Sequence, residues 1–195
     1  MKTLFIYPGI TGIGYNSFGY CRDSGNITGT AIPLGIGYLA SALEQAGFEA
    51  DVLDLRHCKG KQEAEEIISK SEADIVAISV QTPSFHHAVE LAVISKKYNK
   101  TVVAGGIHAT VLPEDFIKTG VFDHVIRGEG EFSLVELVQN LESGRPSPSI
   151  IQGIWVTEMD MFPMAKDFPV YREIYRSVHN VEFGRGCPAK CTYRV

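Results

Sequence analysis

The feature that most constrains this chain is a repeated switch in hydrophobic period. Short, nearly continuous apolar runs alternate with stretches whose apolar residues recur at helical spacing. Residues 4–7, 50–55, 74–80, 101–104 and 122–126 read as strands. Residues 34–45, 63–69, 83–98, 113–118 and 132–143 read as helices, the first stopping at Ala46-Gly47 and the last near Gly144. Strands joined through helices run parallel, because a crossover is needed to bring the chain back to the same end of a sheet. The runs are apolar throughout rather than alternating, as strands covered on both faces require.

Five such units within residues 1–145 predict an α/β fold, a doubly wound parallel five-stranded sheet of the flavodoxin-like (Rossmann-like) type with strand order 2-1-3-4-5. Arg145-Pro146-Ser147-Pro148-Ser149 has linker composition, and residues 150–180 are irregular and rich in Met, Phe and Pro. The expected organisation is a domain over 1–145, a linker over 146–180, and the start of a second domain over 181–195, led by a strand at 179–184. A length of 195 residues fits one domain and a remainder.

Composition excludes several classes. With 45% hydrophobic and 21% charged residues the chain is neither disordered nor fibrous. A net charge of −5 argues against a nucleic-acid partner, which needs a basic field. No apolar run approaches the ~18 residues that span a bilayer. The run at 4–7 ends at Pro8-Gly9, too soon for a signal peptide. A cytoplasmic location is expected, with Cys21, Cys58, Cys187 and Cys191 kept reduced.

In an open α/β sheet, ligands bind beyond the carboxyl ends of the strands, where the strand order reverses. Four strand ends carry suitable loops. The first opens at Pro8-Gly9 into residues 8–32, which hold six glycines and no helical pattern. The third ends in Ser79-Val80-Gln81-Thr82-Pro83-Ser84, whose hydroxyls could bond a ligand or simply cap the next helix. The fourth ends in Gly105-Gly106-Ile107-His108-Ala109-Thr110, where the glycines either let a ligand approach the backbone or form a tight turn. The fifth ends in Arg127-Gly128-Glu129-Gly130-Glu131, a ligand loop or a helix start with acids in its first turn.

Two local patterns offer other chemistry. Gly35, Gly37 and Ala40 fit G-x-G-x-x-A, with Asp54 ending strand 2, which would suit a dinucleotide-binding oxidoreductase domain. Those glycines follow the long loop rather than strand 1, and they equally allow close packing of the helix. Asp54-Leu55-Arg56-His57-Cys58-Lys59-Gly60 nearly spells D-x-H-x-x-G, but its spacing and its place after strand 2 make His57 an ordinary loop histidine. His86 and His87 are adjacent in a helix, so one of them should be solvated. His108 is the one histidine on a crevice loop, expected to hydrogen-bond rather than to bind metal.

Arg185-Gly186-Cys187-Pro188-Ala189-Lys190-Cys191-Thr192-Tyr193-Arg194 carries the first two cysteines of C-x-x-x-C-x-x-C. Three thiolates on one short loop can converge on one iron–sulfur cube. The third position here is Arg194, which stays protonated and has no lone pair to donate. With residues 33–47, 74–84 (DIVAISVQTPS), 102–113 (VVAGGIHATVLP) and 125–131 (VIRGEGE), the chain resembles the N-terminal portion of cobalamin-binding radical SAM proteins. The resemblance implies a cobalamin-binding module whose nucleotide tail is buried in the domain. It implies contacts from Ser79, Gln81, Thr82, Gly105, Gly106 and Gly128 to Glu131, with Gly130 among them, to which the strand-end loops add Pro8, Gly9, Pro83, His108, Ala109 and Thr110 as expected contacts. It implies metal ligation by Cys187 and Cys191 in a [4Fe-4S] cluster that works with S-adenosyl-L-methionine. Absence of the D-x-H-x-x-G histidine is usual in this subgroup. A truncated chain without the catalytic barrel is expected not to be catalytic by itself, and the substrate is a small molecule bound by that barrel.

Overall fold

A computed structural model of the chain describes residues 1–8, 33–55, 58, 60–156, 158, 161 and 164–174. The expected strand at 179–184, together with Gly9, Cys21, His57, Cys187 and Cys191, lies outside them.

The elements follow in order: β1 (Lys2–Tyr7), α1 (Leu34–Gln45), β2 (Glu49–Asp54), α2 (Lys61–Lys70), β3 (Ile75–Ser79), a 3-10 turn (Thr82–Ser84) leading into α3 (Phe85–Lys97), then β4 (Thr101–Gly105). The chain continues through α4 (Ile107–Val111), α5 (Pro113–Thr119), β5 (His124–Arg127), α6 (Glu131–Glu142), β6 (Ile150–Gln152) and α7 (Pro169–Ile174). All pairings are parallel, and the order is β2-β1-β3-β4-β5-β6. The first five strands therefore form the parallel doubly wound sheet expected of a flavodoxin-like fold. A sixth is added at the edge, where Ile150–Gln152 pairs with Val125, Ile126 and Arg127. Three residues after two prolines are too few to show a period, so the sequence concealed it.

Each face of the sheet buries its own apolar cluster. One gathers Leu4, Ile6, Val76, Ile78, Val102 and Ala104 from the strands under α2 to α5, with Phe116 and Phe122 at its far side. The other gathers Phe5, Ala77, Val103 and Ile126 under Ile36, Leu43, Leu134 and Leu137 of α1 and α6. Alternate strand residues face opposite sides, so one apolar run feeds both clusters. Each fully buried Ile or Leu contributes about 1.5–3 kcal/mol.

Residues 164–171, within the stretch read as a linker, also pack on this second face. The Lys166 N–H donates to the Gly37 carbonyl at 3.0 Å, and Ser41 Oγ donates to the Met164 carbonyl at 2.7 Å. Phe168 and Tyr171 are buried beside that contact.

Candidate functional site

A cleft opens at the carboxyl ends of β3, β4 and β5, on the side covered by α1 and α6. It has two parts that share Ile36, Leu39, Ser79, Gly106, Gly128 and Gly130. The outer part, of 350 Å³, lies between Pro33 and Gly35 at the start of α1 and Glu129 and Glu131 on the β5–α6 turn. The inner part, of 70 Å³, runs between the sheet and the two helices to Phe5, Ala77, Val103 and Leu134.

Strand register explains the hollow. Ala77 stands between Phe5 on β1 and Val103 on β4, a methyl group flanked by two larger side chains. Two residues further along the same face, Ser79 stands beside Gly105. A Cβ added at Gly105 would meet no atom within 4 Å. Small residues thus form the floor where the flanking helices leave a gap. The paired glycines differ. Gly105 borders open space, whereas Gly106 has φ +94° and a Cβ there would sit 2.8 Å from the N and O of Val80. Gly106 therefore makes the tight turn, and only glycine fits it.

The lining is apolar inside and acidic at the rim. Ser79 supplies the one polar side chain among the described residues of the inner part, and its hydroxyl bonds no described residue. Glu131 is 4% exposed at the first position of α6, where the helix dipole favours an acid. Glu129 accepts the N–H of Val156, so the β5–α6 turn fixes the segment after β6. Gly153 completes that junction, its N–H donating to the Arg127 carbonyl at 2.7 Å.

The structure brings Ser79, Gly105, Gly106, Gly128, Glu129, Gly130 and Glu131 together around the cleft. The other described residues named from sequence are not among those lining it. Pro8 is buried directly after β1. Gln81 donates its N–H to Ser84 Oγ at 3.1 Å, and the Ser84 hydroxyl returns to the Gln81 carbonyl at 2.9 Å, which is the capping role. Thr82 and Pro83 are exposed. His108 is 5% exposed, with Nδ1 3.1 Å from Thr82 Oγ1 and its ring centroid 4.7 Å from Phe85 and 5.3 Å from Phe116. Ala109 belongs to the cluster on the opposite face. The Thr110 hydroxyl donates to the Gly106 carbonyl at 2.9 Å and accepts the N–H of Gly128 at 3.1 Å, joining two loops of the cleft. Of the adjacent pair in α3, His86 is the exposed one. Among the described residues no three His, Cys, Asp or Glu side chains cluster to hold a metal ion. No described helix is long and apolar enough to cross a membrane.

Sequence reasoning missed the walls: Phe5, Ile36, Leu39, Ala77, Val103 and Leu134 read as ordinary core. Their one signal is the small residue, Ala77, set among large ones two positions before a strand end. The dinucleotide pattern does not hold up. Gly35 and Gly37 lie within α1 rather than in a strand–helix turn, and a Cβ at Gly37 would meet Ala165 Cβ at 2.9 Å. Asp54, which would have to reach a ribose, is 3% exposed.

Fold and cleft together define a doubly wound α/β domain with an apolar cleft between its sheet and two helices. The chain belongs to the B12-binding domain family, whose description, B12 binding domain, matches residues 24–138. It is 31% identical, over 84% of its length, to an uncharacterized methyltransferase of Pyrococcus horikoshii, of which it covers 40%. It is 27% identical, over 99% of its length, to the anaerobic magnesium-protoporphyrin IX monomethyl ester cyclase of Rubrivivax gelatinosus, covering 38% of that protein. The chain thus spans about two fifths of these curated relatives. The same fold occurs in the radical S-adenosylmethionine methyltransferase TsrM from Kitasatospora setae, solved with cobalamin and a [4Fe-4S] cluster bound. That match has TM-score 0.61 at 18% identity, covering 85% of this chain and 31% of that one.

Cobalamin is therefore the ligand of this domain, and the residues present fit it. The apolar lining of the inner cavity is compatible with a flat, largely apolar base. Its linkage to the corrin needs close approach to backbone, which the open space at Gly105 provides.

Proposed function

We propose that this chain is the cobalamin-binding module of a larger radical SAM iron–sulfur enzyme that carries out methyl transfer or related radical chemistry on a small molecule. The observation that carries the reading is the apolar cavity under α1 and α6, floored by Ala77 and Gly105 and opening past Ser79. In that reading the nucleotide tail lies in the cavity and the corrin rests over the ends of β3 to β5. Bound cobalamin supplies a cobalt centre able to carry a transferable methyl group. The domain's own residues do the holding: Ser79 offers a hydroxyl to the tail, and Gly105 admits it. Thr110 and Gly106 keep the β4 and β5 loops at fixed separation.

Several further parts of the proposal rest on the sequence and on the names of the relatives. Cys187 and Cys191 would supply two thiolates of a [4Fe-4S] cluster that works with S-adenosyl-L-methionine. A linker over 146–180 would lead from the domain over 1–145 to a second domain starting at 181, and chemistry on a substrate belongs to the remainder of the larger protein. A cytoplasmic location agrees with the free, buried thiol of Cys58.

The test is reconstitution with hydroxocobalamin followed by gel filtration. A red protein peak is expected. A colourless, folded protein after incubation with excess hydroxocobalamin would overturn the reading.

A further inference from the structure

The described side chains that line the inner cavity are hydrocarbon except for one hydroxyl, that of Ser79. Corrinoids share a macrocycle and differ in the base that ends the nucleotide tail. We infer that this cavity selects corrinoids by that base, accepting a benzimidazole and rejecting a purine. The inference rests on the proposed placement of the tail in this cavity.

The argument is one of hydrogen-bond accounting. A benzimidazole joined to ribose through one ring nitrogen keeps a single further nitrogen, an acceptor, and otherwise presents carbon. One hydroxyl on one wall matches that inventory, and Ser79 is half-buried at the passage between the two parts of the cleft. An adenine joined in the same way keeps three ring nitrogens and an exocyclic amine. Ser79 can meet one of them. The rest would face Phe5, Ile36, Ala77, Val103, Ile126 and Leu134, none of whose side chains can donate or accept, and glycines whose carbonyls at 105, 106 and 130 and N–H at 128 are already bonded within the protein. The strand backbone beneath is no substitute, because Ala77 and Val103 sit in the middle of strands paired on both sides. Polar groups taken out of water without partners weaken binding steeply, so a site of this kind discriminates against a more polar ligand of similar shape.

The acidic rim meets the part of the ligand that these corrinoids share rather than the base. Among the described residues that line the outer part none is basic, and Glu129 and Glu131 are both present. Such a rim suits hydroxyl and carboxamide donors, which ribose and the amidated corrin edge supply.

The test is equilibrium dialysis of the purified chain against three cyano-corrinoids, with bound corrinoid read from its visible absorption. The three are cobalamin, its adeninyl analogue, and cobinamide, which lacks the nucleotide. The adeninyl form is expected to bind at least tenfold more weakly than cobalamin, a difference of about 1.4 kcal/mol. Cobinamide is expected to lose affinity as well, because it leaves the cavity empty. A difference of less than tenfold between the two complete corrinoids would overturn the inference and leave the cobalamin reading standing. Failure of all three to bind would overturn the cobalamin reading itself, and the inference with it.

Discussion

Thr82 Oγ1 lies 3.1 Å from His108 Nδ1, and this contact ties the turn after β3 to the start of α4. Beyond it the imidazole enters an aromatic pocket, where Nε2 has no hydrogen-bond partner. The ring therefore acts mainly by packing. His108→Phe, which keeps the volume and removes the unpartnered nitrogen, is expected to change stability by less than about 1.5 kcal/mol. His108→Ala is expected to cost about 2–4 kcal/mol through the cavity it leaves. Urea unfolding of both variants checks this, and equal losses would show that the Thr82 bond dominates.

The paired glycines should behave oppositely. Gly106→Ala places a Cβ at φ +94° and 2.8 Å from the Val80 backbone, so a loss of about 2 kcal/mol or more is expected. Gly105→Ala meets open space and should stay within about 0.5 kcal/mol of the parent. Thermal melts of the two variants decide the matter.

Cys58 is 4% exposed, and burial, with Glu63 and then Asp54 adding repulsion, pushes its thiol up to about 12 from 9.0. The folded state thus resists an ionisation that the unfolded chain undergoes freely near pH 9. The stability due to the neutral thiol is complete below pH 9 and is lost as pH rises toward 12. Cys58→Ala should remove this component, so the stability difference between parent and variant should shrink by about 1.4 kcal/mol per unit above pH 9. Unfolding at pH 8, 9 and 10 measures it. At pH 8, alkylation mapped by mass spectrometry should leave Cys58 unmodified in the native protein.

Glu129 holds Val156, and Trp155 beside it is 74% exposed. As the one tryptophan in the chain, it reports on this segment alone. Glu129→Ala is expected to lower the fluorescence anisotropy of Trp155 while leaving the melting temperature within a few degrees of the parent. Unchanged anisotropy would mean that the Gly153 junction fixes the segment by itself.

Some of this structure was legible in the sequence. The helix Leu34–Gln45 falls on its expected bounds, because its apolar spacing and the following Gly47 mark it twice. The strand-end loops at 79, 105–106 and 128–131 were found because glycines and hydroxyls stand out after apolar runs. The inner cavity was not. Whether Ala77 is packing or floor depends on Phe5 and Val103 beside it, and register between distant strands is not written in any local pattern. His108 and Ala109 were assigned to the crevice because they follow Gly106. The start of α4 at Ile107 turns both toward the opposite face instead, and five residues hidden behind two glycines gave no helical period.

The most direct measurement is a titration of hydroxocobalamin into the parent protein and into Gly105→Leu, with both shown by circular dichroism to be folded. A Cβ at this position meets no atom within 4 Å, so the leucine is expected to extend into the cleft. The parent is expected to bind saturably, one corrinoid per chain, and the variant at least tenfold more weakly. Equal affinity of the two proteins, or no binding by the folded parent, would contradict the placement of cobalamin between the sheet and α1.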